Sequence, residues 1–174
     1  DVLGETYLGI NGVFCSILSL LSLTELGIGS AITFSLYKPI AEHDDEQTGR
    51  IMNLYALAYR LVALVVTVLG LCVMPFIGKI TVEVPNLRLI YLLYLANSAA
   101  SYLFSYRKAL ITAAEKDWRN TLNNAVFQIL QNLAQLIILL YHGNYIFYLV
   151  AQLVCTVASN LEISHAASKL FPFL

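Results

Sequence analysis

Charge is what this chain has least of. Lys, Arg, Asp and Glu make up 12% of its 174 residues, while 59% are hydrophobic. Ordinary globular chains carry about 25% charged and about 45–50% apolar residues. So few charges cannot coat a soluble surface, and the composition reads as membrane. A basic excess is also missing. The net charge is −1 and the pI is near 6.3, which leaves no footprint for nucleic acid, and no nucleic-acid partner is expected. Cysteine is sparse: Cys15, Cys72 and Cys155 all lie in apolar segments, without a CxxC or CxxH neighbour. They read as small core residues, not zinc ligands. His43 sits among Glu42, Asp44, Asp45 and Glu46, which reads as a solvated loop. Nucleophile motifs, phosphate loops and paired catalytic carboxylates are missing, so an enzyme is not expected, nor a metal or cofactor. There is no basic start followed by a short apolar core, the mark of a cleavable leader. With Asp1 at its start and "KLFPFL" at its end, the chain reads as a piece of a longer protein.

Long apolar runs are what the chain does have, and its mean hydropathy is +0.72. A membrane-crossing helix needs about 20 mostly apolar residues. Five candidates follow, at about 10–37, 51–77, 87–106, 121–141 and 144–165. The expected fold class is therefore all-α, a polytopic membrane helix bundle of five transmembrane helices. Two spans are long for a hydrocarbon core of about 30 Å, which calls for tilt or interfacial ends. Pro39 is expected to stop the first span, and Pro85-Asn86 marks a turn. The stretch "RKALITAAEKDWRN" suits a short helix lying at the interface, with Trp118 at headgroup level. "HGN" makes a tight turn, so the last two spans form an antiparallel hairpin. Lys38, Arg50, Arg107, Lys108, Lys116, Arg119 and Lys169 fall on one side of this arrangement, and Lys79 and Arg88 on the other. The positive-inside rule then places the C-terminus in the cytoplasm and the N-terminus outside.

Each span carries polar residues at spacings of three, four and seven, which share a helix face. The stripes are Asn11, Ser22, Glu25, Gly29 and Thr33; Asn53, Arg60 and Thr67; Tyr94, Asn97, Ser101 and Ser105; Asn124, Gln128, Gln131 and Gln135; and Tyr145, Tyr148, Gln152, Thr156 and Ser159. Amides at mid-membrane depth have no use against lipid. They serve either as hydrogen-bonding glue between helices or as the lining of a hydrated cavity. Five stripes together favour the cavity, and amides and hydroxyls suit a sugar. Glu25 and Arg60 stand apart, because an intramembrane charge costs at least about 2.5–3.5 kcal/mol and needs a partner or a purpose. Arg60 either snorkels to the interface or enters the cavity, where a guanidinium grips phosphate through paired hydrogen bonds. Glu25 fits three roles: an ion-pair partner for Arg60, a proton carrier, or a protonated hydrogen-bonding group.

The stretch "YLGINGVFCSILSLLSLTELGIGSAITFSLYKPIAEHDDEQTGRIMNLYALAYR" resembles the N-terminal part of bacterial polysaccharide flippases. "SYLFSYRKALITAAEKD" is similar to their fourth-helix exit, and "YHGNYIFYLVAQLV" with Ser159-Asn160 to their fifth–sixth hairpin. These are O-antigen and capsule repeat-unit transporters of the multidrug/oligosaccharidyl-lipid/polysaccharide superfamily. Such proteins have two six-helix bundles around a central cavity. They move polyprenyl-pyrophosphate-linked oligosaccharides across the bacterial inner membrane for surface polysaccharide and lipopolysaccharide biosynthesis. The resemblance implies that residues 1–174 form a partial N-terminal bundle, helices two to six of the first half. Its partners would be the first helix and second half of the same protein, the lipid bilayer and the lipid-linked substrate. In that role Arg60 would attract the pyrophosphate. Asn97, Gln128, Gln131, Gln135 and Gln152 would meet sugar hydroxyls, and Glu25 would gate or couple. Two alternatives remain. A cation-coupled multidrug exporter of the same superfamily would use Glu25 for coupling, and a non-transporting membrane scaffold would use the stripes as glue.

Overall fold

The structure is a computed structural model that describes residues 4–22, 28–77, 85–103, 105–141 and 143–172. Among the described residues it is all-helical. The helices are α1 (Gly4–Ser22), α2 (Ile28–Ala41), α3 (Asp45–Val73), α4 (Leu87–Leu103), α5 (Ser105–Ala113), α6 (Asp117–Tyr141) and α7 (Tyr145–Leu170), with a 3-10 turn at Met74–Phe76 after α3. Four segments are long and apolar enough to cross a membrane: Asp45–Phe76, Leu87–Ala113, Asp117–Tyr141 and Tyr145–Leu170. They match four of the five expected spans. The expected first span, 10–37, is divided between α1 and α2, and residues 23–27 between them lie outside the described residues.

Local chemistry sets the helix ends. Asp44 caps α3, its Oδ1 accepting from the Gln47 amide at 2.9 Å, and Asp45 and Glu46 follow in the first turn, where acids suit the helix dipole. Asn144 caps α7 in the same way, accepting from the Ile146 amide at 2.9 Å. The helices α2 and α5 both end in a left-handed residue, His43 (φ 53°) and Glu115 (φ 59°). Behind each, an amide reaches back five residues: Asp44 to the Pro39 carbonyl at 2.9 Å and Lys116 to Ile111 at 3.1 Å. This closure satisfies carbonyls that a helix end leaves bare. Pro39 does not stop α2, which runs on to Ala41. So close to the helix end, it removes one amide donor, and the closure that follows satisfies its own carbonyl.

The segment expected to form a short helix at the interface contains most of α5, which packs against the bundle. Leu110 and Ile111 are fully buried, and α5 packs on α2 as well as on α6 and α7. Its apolar face meets the neighbouring helices. The core gathers α1 to α5 and the start of α7: Phe14, Ile32, Leu36, Met52, Val66, Ile90, Tyr91, Leu110 and Leu149 are all buried. The ring of Phe14 meets the edges of Tyr91 and Tyr94 at centroid distances of 5.2 and 5.7 Å. At Gly70 a Cβ would land on the Leu95 side chain, so the absent side chain lets α3 and α4 close up. The Tyr91 hydroxyl donates to the Gly70 carbonyl at 2.9 Å across the same contact.

The outside is apolar as well. Leu57, Leu61 and Leu64 of α3 are 62%, 63% and 61% exposed. On α6 the exposed residues include Leu122, Ile129, Leu133, Ile137 and Leu140. Contiguous apolar surface of this extent suits a lipid surround.

Candidate functional site

Among the described residues, polar side chains fall into two sets, one between helices and one on their outer faces. The first set begins with Tyr94 on α4. Its hydroxyl lies 2.6 Å from Asn11 Oδ1, which accepts from it, and 2.7 Å from the Tyr145 hydroxyl. Cys15 Sγ also donates to Asn11 Oδ1, at 3.3 Å, and Tyr148 stacks on Tyr145 at 5.5 Å. One turn deeper on α4, Asn97 keeps a buried Oδ1 without a hydrogen-bond partner.

The other interhelical bonds tie the second half of the chain. Asn123 Nδ2 donates to the Ser159 hydroxyl at 2.8 Å and its carbonyl at 3.2 Å. Asn160 Nδ2 donates to the Ala100 carbonyl at 3.0 Å. Asn120 Nδ2 reaches the Lys108 carbonyl at 3.0 Å. Arg107 Nη1 donates to the Ser164 carbonyl at 2.9 Å and to Ser168 Oγ at 2.7 Å. Each bond satisfies an amide, hydroxyl or guanidinium that would be costly against lipid.

The residues singled out from sequence divide between the sets. Gln135 is buried, and its Nε2 donates to the Tyr148 carbonyl at 3.4 Å. Asn97, Gln131 and Gln152 are half-buried. Arg60 and Gln128 are exposed, on the outer surface of the described bundle. Glu25 lies outside the described residues.

The residues that make the α6 contacts, Asn120 and Asn123, lie on an arc next to the stripe read from sequence. That stripe, continued by Asn132, splits on folding: Asn124, Gln128 and Asn132 are exposed, and Gln135 turns inward. A signal for the inner arc was present in the sequence. Asn123 and Ser159 pair across an antiparallel hairpin whose turn the sequence marks.

Two cavities stand out among the described residues. One, of about 700 Å³, lies where α2, α5 and α7 end, lined by Tyr37, His43, Thr48, Lys116 and Phe171 among others. The other, of about 360 Å³, lies between α6 and α7, with Trp118, Arg119 and Glu162 in its lining. Neither is lined by Arg60, Asn97, Gln128, Gln131, Gln135 or Gln152. Near the first cavity the acids are partly engaged with bases, Glu42 with Lys38 and Glu46 with Arg50. Among the described residues no group of three His, Cys, Asp or Glu side chains gathers as a metal ion needs.

Among the described residues the exposed polar groups include the amides of Asn124, Gln128 and Asn132 and the guanidinium of Arg60. No family model matches the chain, and neither a search of curated proteins nor one of solved structures gives a match.

Proposed function

We propose that this chain is part of a flippase that moves polyprenyl-pyrophosphate-linked oligosaccharides across the bacterial cytoplasmic membrane. The observation that carries this reading is the outer face of α6. Asn124, Gln128 and Asn132 stand exposed one turn apart, on a helix long and apolar enough to cross a membrane. Amides at that depth do not face lipid without cost. They call for water, a polar ligand or another protein surface. In the flippase reading a second bundle closes over them, and sugar hydroxyls meet them in the enclosed cavity. Arg60, exposed on α3 and without a hydrogen bond or ion pair among the described residues, supplies the cation for the pyrophosphate. The sequence resemblance supports the same reading, as does the excess of Lys and Arg on the side read as cytoplasmic.

A second reading has its own observation. The Tyr94–Asn11–Tyr145 cluster and the Asn123–Ser159 pair are polar contacts spent entirely on packing. If all five stripes served that purpose, the protein would be a membrane scaffold. Export of the native repeat unit separates the two readings. Full-length protein carrying Gln128→Ala and Gln131→Ala is expected to lose export by about tenfold or more, the scale of about 1.4 kcal/mol of lost interaction, at unchanged protein level. Unchanged export would turn the assignment towards the scaffold.

A further inference from the structure

The groove between α6 and α7 holds two opposite charges that do not meet. Arg119 and Glu162 both line it. Asn123 bonds to Ser159, and Gln135 to the Tyr148 carbonyl, which sets the antiparallel register. By that register Arg119 lies level with Ile163, one residue from Glu162. Yet the ion pairs among the described residues are Lys38–Glu42 and Arg50–Glu46. The Arg119 guanidinium instead stacks over the Trp118 ring at 5.3 Å, and its buried Nε has no hydrogen-bond partner. Glu162 is exposed.

Below these charges the groove turns apolar, through Leu122, Val126 and Phe127. Trp118, at its mouth, is 60% exposed and stands at the start of a membrane-crossing helix, where indole rings favour the headgroup layer. The groove thus has an apolar floor and an end carrying both signs of charge.

We infer that this groove binds a phospholipid with a zwitterionic, hydrogen-bonding headgroup of the phosphatidylethanolamine type. The phosphate takes the Arg119 guanidinium, and the ammonium takes the Glu162 carboxylate. One headgroup bridges two charges that do not pair with each other. An anionic lipid would satisfy Arg119 but be repelled by Glu162. Choline lacks the N–H donors that a carboxylate prefers. The site requires a bilayer but not transport, so it stands apart from the flippase reading.

The test is lipid competition on the delipidated full-length protein. It is mixed with equal amounts of palmitoyl-oleoyl phosphatidylethanolamine, phosphatidylcholine and phosphatidylglycerol, and retained lipid is read by native mass spectrometry. Phosphatidylethanolamine is expected to be retained at least about threefold over each competitor, a modest affinity difference. Arg119→Gln is expected to remove that retention. Glu162→Gln is expected to raise phosphatidylglycerol to equality or above. Wild-type retention of either competitor at or above phosphatidylethanolamine overturns the inference, as does a preference that survives both substitutions.

Discussion

Tyr94 shows what a single hydroxyl does in this protein. Its ring packs on Phe14, while its oxygen links Asn11 on α1 with Tyr145 on α7. Tyr94→Phe keeps the ring and removes only the link. Two polar groups each lose a partner, so a destabilisation of about 1–3 kcal/mol is expected. Denaturant titration in detergent micelles measures it, and a change near zero would show that water replaces the hydroxyl. The polar character of Tyr94 and its place on a stripe were legible in the sequence. Its partners were not, because Asn11 and Tyr145 lie far from it along the chain. Arg107 makes the same point. As a sequence feature it counts as one cation among seven on a side. In the fold its guanidinium bonds α5 to the last turns of α7.

At the scale of the element, the α6–α7 hairpin is the clearest case. Its helices follow from apolar runs, and its turn from Gly143-Asn144, where Gly143 takes φ 58° and Asn144 caps the next helix. The Asn123–Ser159 pair sits towards the open end of the hairpin, well away from its turn. A double-mutant cycle of Asn123→Ala and Ser159→Ala is expected to give a coupling of about 0.6 kcal/mol and at most about 1.7, the range for such pairs inside membranes. Zero coupling would mean that apolar packing alone holds the hairpin. Pro39 marks where a local rule misled. A proline near a helix end removes one bond, and neighbouring closure offsets it. The α5 segment reads as a short helix from its sequence, and the fold adds that Leu110 and Ile111 are buried in the bundle.

The whole molecule makes a prediction about sidedness and wetness together. Helix order places His43 and Glu115 at one end of the bundle, and Asn86 and Gly143 at the other. Single cysteines at 43 and 115, on a cysteine-free full-length background, are expected to react with a membrane-impermeant thiol reagent only from the cytoplasmic side. Cysteines at 86 and 143 are expected to react only from outside. Cysteines at 60 and 128 are expected to react too, since the proposed pathway is hydrated. Protection of both, with the end positions labelled, would remove the main support for a transport pathway.

The sequence by itself determined the class of molecule: all-helical, apolar outside, with membrane-crossing lengths and turns near their observed places. Those properties are local, since hydropathy, helix period and capping depend on residues within a few turns of each other. Only the tertiary structure decided which polar arc of a helix faces inward. On α6, Asn120 and Asn123 point to neighbours while Asn124 and Gln128 point away, although the arcs adjoin. That choice rests on the surface of the helices packed alongside, and a neighbour brought in from a distant part of the chain leaves no mark in the local pattern.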